Sequence, residues 1–325
     1  MRDASLALLA EVERIRPILE GCAEQAEAER ALPEAAYDAM LEAGLFGMLV
    51  PESFGGLQLP PLDVLRIVEA VSRIDSAAGW NLNQSGAAGG VVPWLSKDGA
   101  EEVYARGAET IFAGGFFPPA PSVRVEGGWR VTSRTPFASG CHRAHWFTVP
   151  LVEVDAERSH FDPRTEDPPP IVAMVPRDEV DLVDTWHTVG MRGTFSADVV
   201  VDDVFVPDRR VADLEGNTER SPAFAAPLYA LWPWGGVLGE TAVSIGIAAA
   251  AIERLTELAT RKRPAYGRVQ LADRAMAQHH VARATALVDA SRAYVHAALS
   301  EAHADAARDG WYGEASKQRC QLAAC

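Results

Sequence analysis

Hydrophobic residues recur at helical spacing from residue 1 to about 108, alternate from about 109 to 214, and return to helical spacing from about 221 onward. In the first zone Leu6, Leu9, Val12, Ile15, Leu19 and Cys22 lie three or four apart and make one stripe. "LPEAAYDAMLEAGLF" predicts a second helix, with Pro33 in its first turn and Gly44 near its stop. After the loop "VPESFGG", the prolines of "PPLDVLRIVEAVSRIDSAAGW" open a third helix whose buried stripe is Leu62, Leu65, Val68 and Ile74.

In the middle zone, "SVRVEGGWRVTS" places Val123 and Val125, then Trp129 and Val131, on either side of a Gly–Gly turn, which predicts a hairpin. "HWFTVPLVEV", "IVAMVP" and "ADVVVDDVFVP" predict further strands. No helix-length segment separates them, so an antiparallel sheet or small barrel is expected rather than a parallel sheet. The acidic, proline-rich insert 155–170 predicts an exposed loop. In the last zone one helix is expected over about 236–263, and another from 269 could run ~60 Å. Long Ala-rich helices pack in antiparallel bundles, often across subunits, so a homotetramer or dimer is expected. "GEASKQRCQLAAC" begins a third long helix; either another subunit completes that bundle or the chain is shorter than its relatives. The expected fold is α+β: an N-terminal helical domain (1–108), a central β domain (109–214) and an incomplete C-terminal helical bundle (221–325).

Charge narrows the function. The 325 residues carry 30 Lys and Arg against 45 Asp and Glu, a net −15, with no basic block. Nucleic acid and anionic membranes need a clustered positive footprint and are excluded as partners. Cys22, Cys141, Cys320 and Cys325 form no CxxC, so reduced thiols in a cytoplasm are expected. The N-terminal helix carries Glu11, Glu13, Arg14 and Arg16 and is not a signal peptide. The longest apolar runs are Ala-rich and read as too short to span a bilayer.

The densest chemistry is "FASGCHRAHW" at 137–146, which admits a metal site, a nucleophilic serine or the wall of a ligand pocket. His142 and His145 stand three apart on a strand-and-turn segment, where odd offsets face opposite sides, and no CxxC, carboxylate pair or HExxH completes a metal set. His279–His280 and His296/His303 read as a solvated or subunit-facing stripe. "ASGCH" is not GxSxG, and neither GxGxxG nor GxxxxGK[ST] occurs, so no nucleophile elbow, classical dinucleotide site or P-loop is expected. A second segment, "TWHTVGMRGTFSADVVVDDVFVPDRR" at 185–210, reads either as an ordinary hairpin or as a site. In the latter, Arg192, Thr194, Ser196 and glycine-freed backbone N–H groups hold a planar heterocycle or a phosphate.

The three-zone order, "MLEAGLFGMLVPESFGG" (40–56), "SRIDSAAGWNL", the "SG" strand followed by tryptophan, and "MRGT-S" with "VFVP" resemble the acyl-CoA dehydrogenase superfamily over essentially the whole chain. Within it they look most like the two-component, group D flavin-dependent monooxygenases. The resemblance implies a flavin, FMN or FAD, possibly bound as a reduced co-substrate from a separate reductase, and a small aromatic or heteroaromatic substrate. It implies Phe137 against the flavin ring and Ser139 near its N5, with Trp186, Arg192, Thr194 and Ser196 lining the flavin or the mouth of the pocket. It also implies Arg263 on the flavin phosphate of a neighbouring subunit, and Trp80, Asn81, Asn83 and Gln84 around the substrate. An aromatic wall with one hydroxyl excludes water and holds N5–H. His142 is the group there best suited to move a proton, or else an exposed loop histidine. The helix after Trp80 holds no histidine, and the resemblance places the family's C-terminal base beyond Cys325. Two alternatives stay open: an acyl-CoA dehydrogenase with bound FAD and a thioester substrate, and a truncated, non-catalytic binding or assembly partner.

Overall fold

The computed structural model describes residues 3–154, 171–214, 220–265 and 267–325; the predicted loop at 155–170 lies outside them. The first helix, α1 (Asp3–Glu29), buries Leu8, Val12, Ile15, Leu19 and Cys22. Leu6 is instead 51% exposed, because the inward stripe passes through Ser5 and Leu8. Ser5 donates from Oγ to buried Asp63, 2.7 Å away. The second helix, α2 (Glu34–Glu42), stops before Gly44, whose φ of 76° turns the chain.

The helix expected after the prolines is two helices. Helix α3 (Pro61–Ile74) ends at Asp75, whose extended backbone (φ −141°, ψ 123°) starts α4 (Ser76–Gly89) in a new direction. The Asp75 carboxylate accepts from the Ala78 N–H at 2.8 Å and caps α4. A short helix, α5 (Lys97–Val103), is capped in the same way by Ser96.

Eight strands follow among the described residues: β1 (Phe112–Gly114), β2 (Ala120–Val125), β3 (Gly128–Ala138), β4 (Trp146–Glu153), β5 (Ile171–Pro176), β6 (Asp181–Val183), β7 (Ala197–Pro207) and β8 (Val211–Asp213). They form one sheet in the order β6-β7-β3-β2-β4-β5-β8, with β1 beside β4, and the path does not close into a barrel among the described residues. The β2–β3 hairpin turns at Glu126–Gly127. The sheet is mixed rather than wholly antiparallel: β4 runs parallel to both β1 and β2. On β2 the inward side chains are Ala120 and Ser122, while Val123 faces out. Strand β4 is buried from Trp146 to Val152. Phe147, Val149 and Leu151 fill one side, and Trp146 packs with aromatic residues of the helical side.

The last zone contains α6 (Trp234–Arg261), α7 (Ala275–Asp309) and α8 (Glu314–Ala324). Helix α7 has 35 residues and is ~52 Å long. One apolar core runs from α1–α4 into α6–α8, through residues such as Val71, Leu238, Leu299 and Cys320. Gly246 lets α6 close on α3, since a Cβ there would stand 2.6 Å from the Glu69 carbonyl. Helix α6 has the expected length but is more apolar than the sequence reading allowed. It has 28 residues and a mean hydropathy of 1.6 over its best window, enough by length and composition to cross a membrane. It packs one face against α3 and α4 and takes polar contacts from α4 to Gly236 and Glu240, while Ile247, Leu255 and Leu258 stay exposed.

Candidate active site

The two segments singled out in the sequence meet where β3 ends and β7 begins, with Ala138 opposite Ala197. Backbone that only glycine adopts freely flanks that junction: Phe137 (φ 61°), at the irregular end of β3, and Met191 (φ 53°) and Phe195 (φ 43°), ahead of β7, all lie in the left-handed region. Gly140, at φ 71°, completes the turn, and a Cβ there would stand 2.8 Å from the Tyr37 hydroxyl. Strain gathered on three bulky residues of one loop pair marks a surface shaped for something other than stability.

Three hydroxyls line up beneath that surface. Trp80 donates its indole Nε1–H to Ser139 Oγ at 2.8 Å. Ser139 and Ser196 share a hydrogen bond of 2.7 Å, and Ser196 and Thr194 another of 2.7 Å. Thr194 Oγ1 donates to the Met191 carbonyl at 2.9 Å. That carbonyl also receives Trp186 Nε1 at 3.1 Å. All three hydroxyl residues are buried, whereas Phe137 is 69% exposed. Its ring meets Trp186 edge-on, with centroids 6.4 Å apart. Phe137, Ser139, Trp186, Thr194 and Ser196 are thus brought together.

Arg192 is placed beside this group, but its guanidinium is engaged. Nε donates to the Glu27 carbonyl at 2.8 Å and Nη1 to the Thr188 carbonyl at 3.1 Å. It ties the loop to the end of α1, as does Arg30, a residue that no sequence pattern singled out. Arg30 grips Asp184 through both Nη atoms and bonds the Trp186 carbonyl. The ion pair holds the Asp184 carboxyl below its ordinary range. Arg263 lies exposed just past α6, and no described contact joins it to the hydroxyl chain.

His142 turns away from Ser139. Its Nε2 meets the Leu32 carbonyl at 3.3 Å, and its ring sits between Tyr37 and Phe195. Burial lowers its pKa, which keeps the ring neutral. His145 accepts the Ile111 N–H on Nδ1 at 3.0 Å, so the two imidazoles serve different elements. Among the described residues no three His, Cys, Asp or Glu side chains gather to hold a metal ion. Cys141 is buried and bonds the Phe195 carbonyl; burial pushes its thiol up to about 12, so it is no nucleophile.

Trp80, predicted at the substrate, reaches Ser139. Asn81 is buried beside Gly140 and Tyr37. Asn83 bonds the Gly236 carbonyl at 3.1 Å and Gln84 bonds Glu240 at 3.0 Å, both across to α6. Asn83 also borders a chamber between α3, α4 and residues 228–236, with about 980 Å³ of empty space, open solvent at its mouth included. Met48, Val68, Leu82, Phe112 and Trp232 line it, with Tyr104 and Tyr229. No charged side chain is among the described lining residues. No sequence pattern singled out Tyr104 or Tyr229, which reach the chamber from distant segments.

An exposed aromatic side chain thus stands beside buried hydroxyls, and α4, which reaches them through Trp80, also borders the apolar chamber. A model of the acyl-CoA dehydrogenase N-terminal domain matches residues 12–114, and one of the C-terminal domain matches 238–325. The chain belongs to the acyl-CoA dehydrogenase superfamily. It is 29% identical to an indole-3-acetate monooxygenase of Pseudomonas putida over 93% of this chain and 76% of that protein. It is 27% identical to the flavin-dependent monooxygenase oxygenase subunit HsaA of Rhodococcus jostii, over 86% and 73% respectively. Among solved structures, XiaF from a Streptomyces species, in complex with FADH2 and glycerol, superposes with a TM-score of 0.88 at 25% identity. That match covers 98% of this chain and 80% of XiaF.

Proposed function

We propose that this chain is the oxygenase component of a two-component flavin-dependent monooxygenase that acts on a small aromatic or heteroaromatic molecule. The observation that carries the reading is the uncharged, aromatic-lined chamber bordering α4, the helix whose Trp80 bonds Ser139. Such a chamber suits a flat, neutral ring and gives no counter-charge to an ionic one. The similarity to aromatic monooxygenases over most of the chain supports the same reading.

The residues present fit a flavin. Phe137 offers an open aromatic face, and Ser139 offers a buried oxygen beside it. Flavin supplies the activation of oxygen, which side chains alone do not. The chain's part is to orient the ring against Phe137 and Trp186, to meet its N5 edge with Ser139, and to keep water from the reacting face. A relative that is itself an oxygenase subunit supports a separate flavin reductase as partner. The unpaired cysteines suit a cytoplasmic enzyme.

Titration of the protein with reduced flavin under anaerobic conditions, followed by oxygen, tests the reading. Tight binding of reduced flavin and substrate-dependent oxygen uptake are expected. Ser139→Ala should increase hydrogen peroxide release per oxygen consumed by roughly tenfold, the worth of one lost hydrogen bond at the reacting edge. Protein that carries tightly bound yellow flavin and bleaches on adding an acyl-CoA would instead be a dehydrogenase.

A further inference from the structure

We infer that Ser196 and Thr194 are positioning residues that fix the direction of the protons along the hydroxyl chain. Ser139 can then only accept a hydrogen bond from its ligand, and the site selects reduced flavin, which carries N5–H, over oxidised flavin, whose N5 is a bare acceptor. The inference rests on the flavin reading above and concerns which form of the ring the chain admits.

The direction follows from counting protons. An indole N–H can only donate, a backbone carbonyl can only accept, and each hydroxyl has one proton. Thr194 gives its proton to the Met191 carbonyl at 2.9 Å. In its 2.7 Å contact with Ser196 it therefore accepts, and the proton there belongs to Ser196. Ser196 has then no proton left for Ser139, so their 2.7 Å contact is made by the Ser139 proton. Trp80 fills one lone pair of Ser139 from the other side at 2.8 Å. What remains on Ser139 Oγ is a single lone pair and no proton.

Both ends of the chain are fixed. The Trp80 indole cannot reverse, and the Met191 carbonyl holds its place under three donors: Thr194 Oγ1, the Thr194 N–H at 3.1 Å and Trp186 Nε1 at 3.1 Å. To offer its proton to oxidised flavin, Ser139 must turn it away from Ser196, and the chain then loses one hydrogen bond: Ser139–Ser196 itself or, if Ser196 turns to donate to Ser139, Ser196–Thr194 or Thr194–Met191. The loss of one buried hydrogen bond sets the discrimination at about tenfold. Ser196→Ala removes the acceptor that occupies the Ser139 proton. Thr194→Val frees the Ser196 proton to turn toward Ser139. Each variant restores a donor at Ser139.

The test is the ratio of dissociation constants for oxidised and dithionite-reduced FMN and FAD, titrated anaerobically against the full chain and read by flavin fluorescence and absorbance. The wild type is expected to prefer the reduced form, and Ser196→Ala and Thr194→Val to shrink that preference by about tenfold, mainly through tighter oxidised-flavin binding. Trp80→Phe should keep the ratio within about twofold, since Ser139 still spends its proton on Ser196. A role in packing alone predicts the reverse order, with the lost indole contact weighing most, and that order would overturn the inference. So would an unchanged ratio in both hydroxyl variants with circular dichroism like the wild type. A wild type that binds neither form of flavin would overturn the flavin reading itself.

Discussion

His145 shows how one residue near the site couples the fold to pH. Its Nδ1 accepts the Ile111 N–H, a role open only to the neutral ring. Burial, and then the positive Arg106 and Arg143, push its pKa down to about 4 from an ordinary 6.5. Between those values the unfolded chain binds a proton that the folded chain refuses, so stability is full above pH 6.5 and is lost as pH falls toward 4. The slope from this one group cannot exceed one proton, ~1.4 kcal/mol per pH unit. Denaturant unfolding at several pH values should show His145→Gln with a shallower decline over that window. Ser139, Thr194 and Ser196 were recognisable from their neighbours in the chain. Trp80 was recognisable too, but not its hydrogen bond to Ser139, because 59 residues separate the two. His142 had the chemistry for proton transfer and lacks the direction, since its rotamer is set by Leu32, Tyr37 and Phe195.

The break at Asp75 sets where α3 ends and α4 begins. The carboxylate is pushed up by burial, yet it caps α4 through the Ala78 N–H. Asp75→Ala should cost about 1 kcal/mol in chemical denaturation, whereas Asp75→Asn, which keeps the capping oxygen, should lose only a few tenths. An equal loss in both would show that the charge, not the cap, matters. Without the break, α3 and α4 would be one rod, and Trp80 would not turn toward the sheet. The apolar period runs through the "RIDSAAG" join almost undisturbed, so only the capping residue gave a clue to two helices. Strand parity failed for a related reason. Ser122 is buried in β2 and Val123 exposed, since the hydroxyl is satisfied by the Ala120 carbonyl at 3.0 Å while the strand's register follows β3.

The whole molecule leaves one surface unfinished. Beyond the shared core, α6 and the first half of α7 lie exposed, with Ile247, Leu255, Leu258, Met276 and Leu287 on the surface. Apolar residues spread over two such helices suit burial against a second copy, and we expect a dimer or tetramer in solution. Light scattering after gel filtration should give a multiple of 34.9 kDa. Leu255→Glu with Leu287→Glu should shift the mass toward one chain, because two carboxylates would enter an apolar contact at a cost of several kcal/mol. A wild type at single-chain mass would contradict this assignment.

The order of helices, strands and helices, the hairpin, the acidic composition and the two polar segments that carry the hydroxyls are legible along the chain. Each of these is written in spacing or composition along neighbouring residues, where backbone geometry repeats every few positions. It took the folded chain to set β4 parallel to β1 and β2, to turn Arg192 and Arg30 onto the contacts between the end of α1 and residues 184–192, and to bring Trp80 to Ser139. Those contacts join residues far apart in the chain, and the direction of a hydrogen bond depends on which donors and acceptors the fold brings within 3 Å or so of each other.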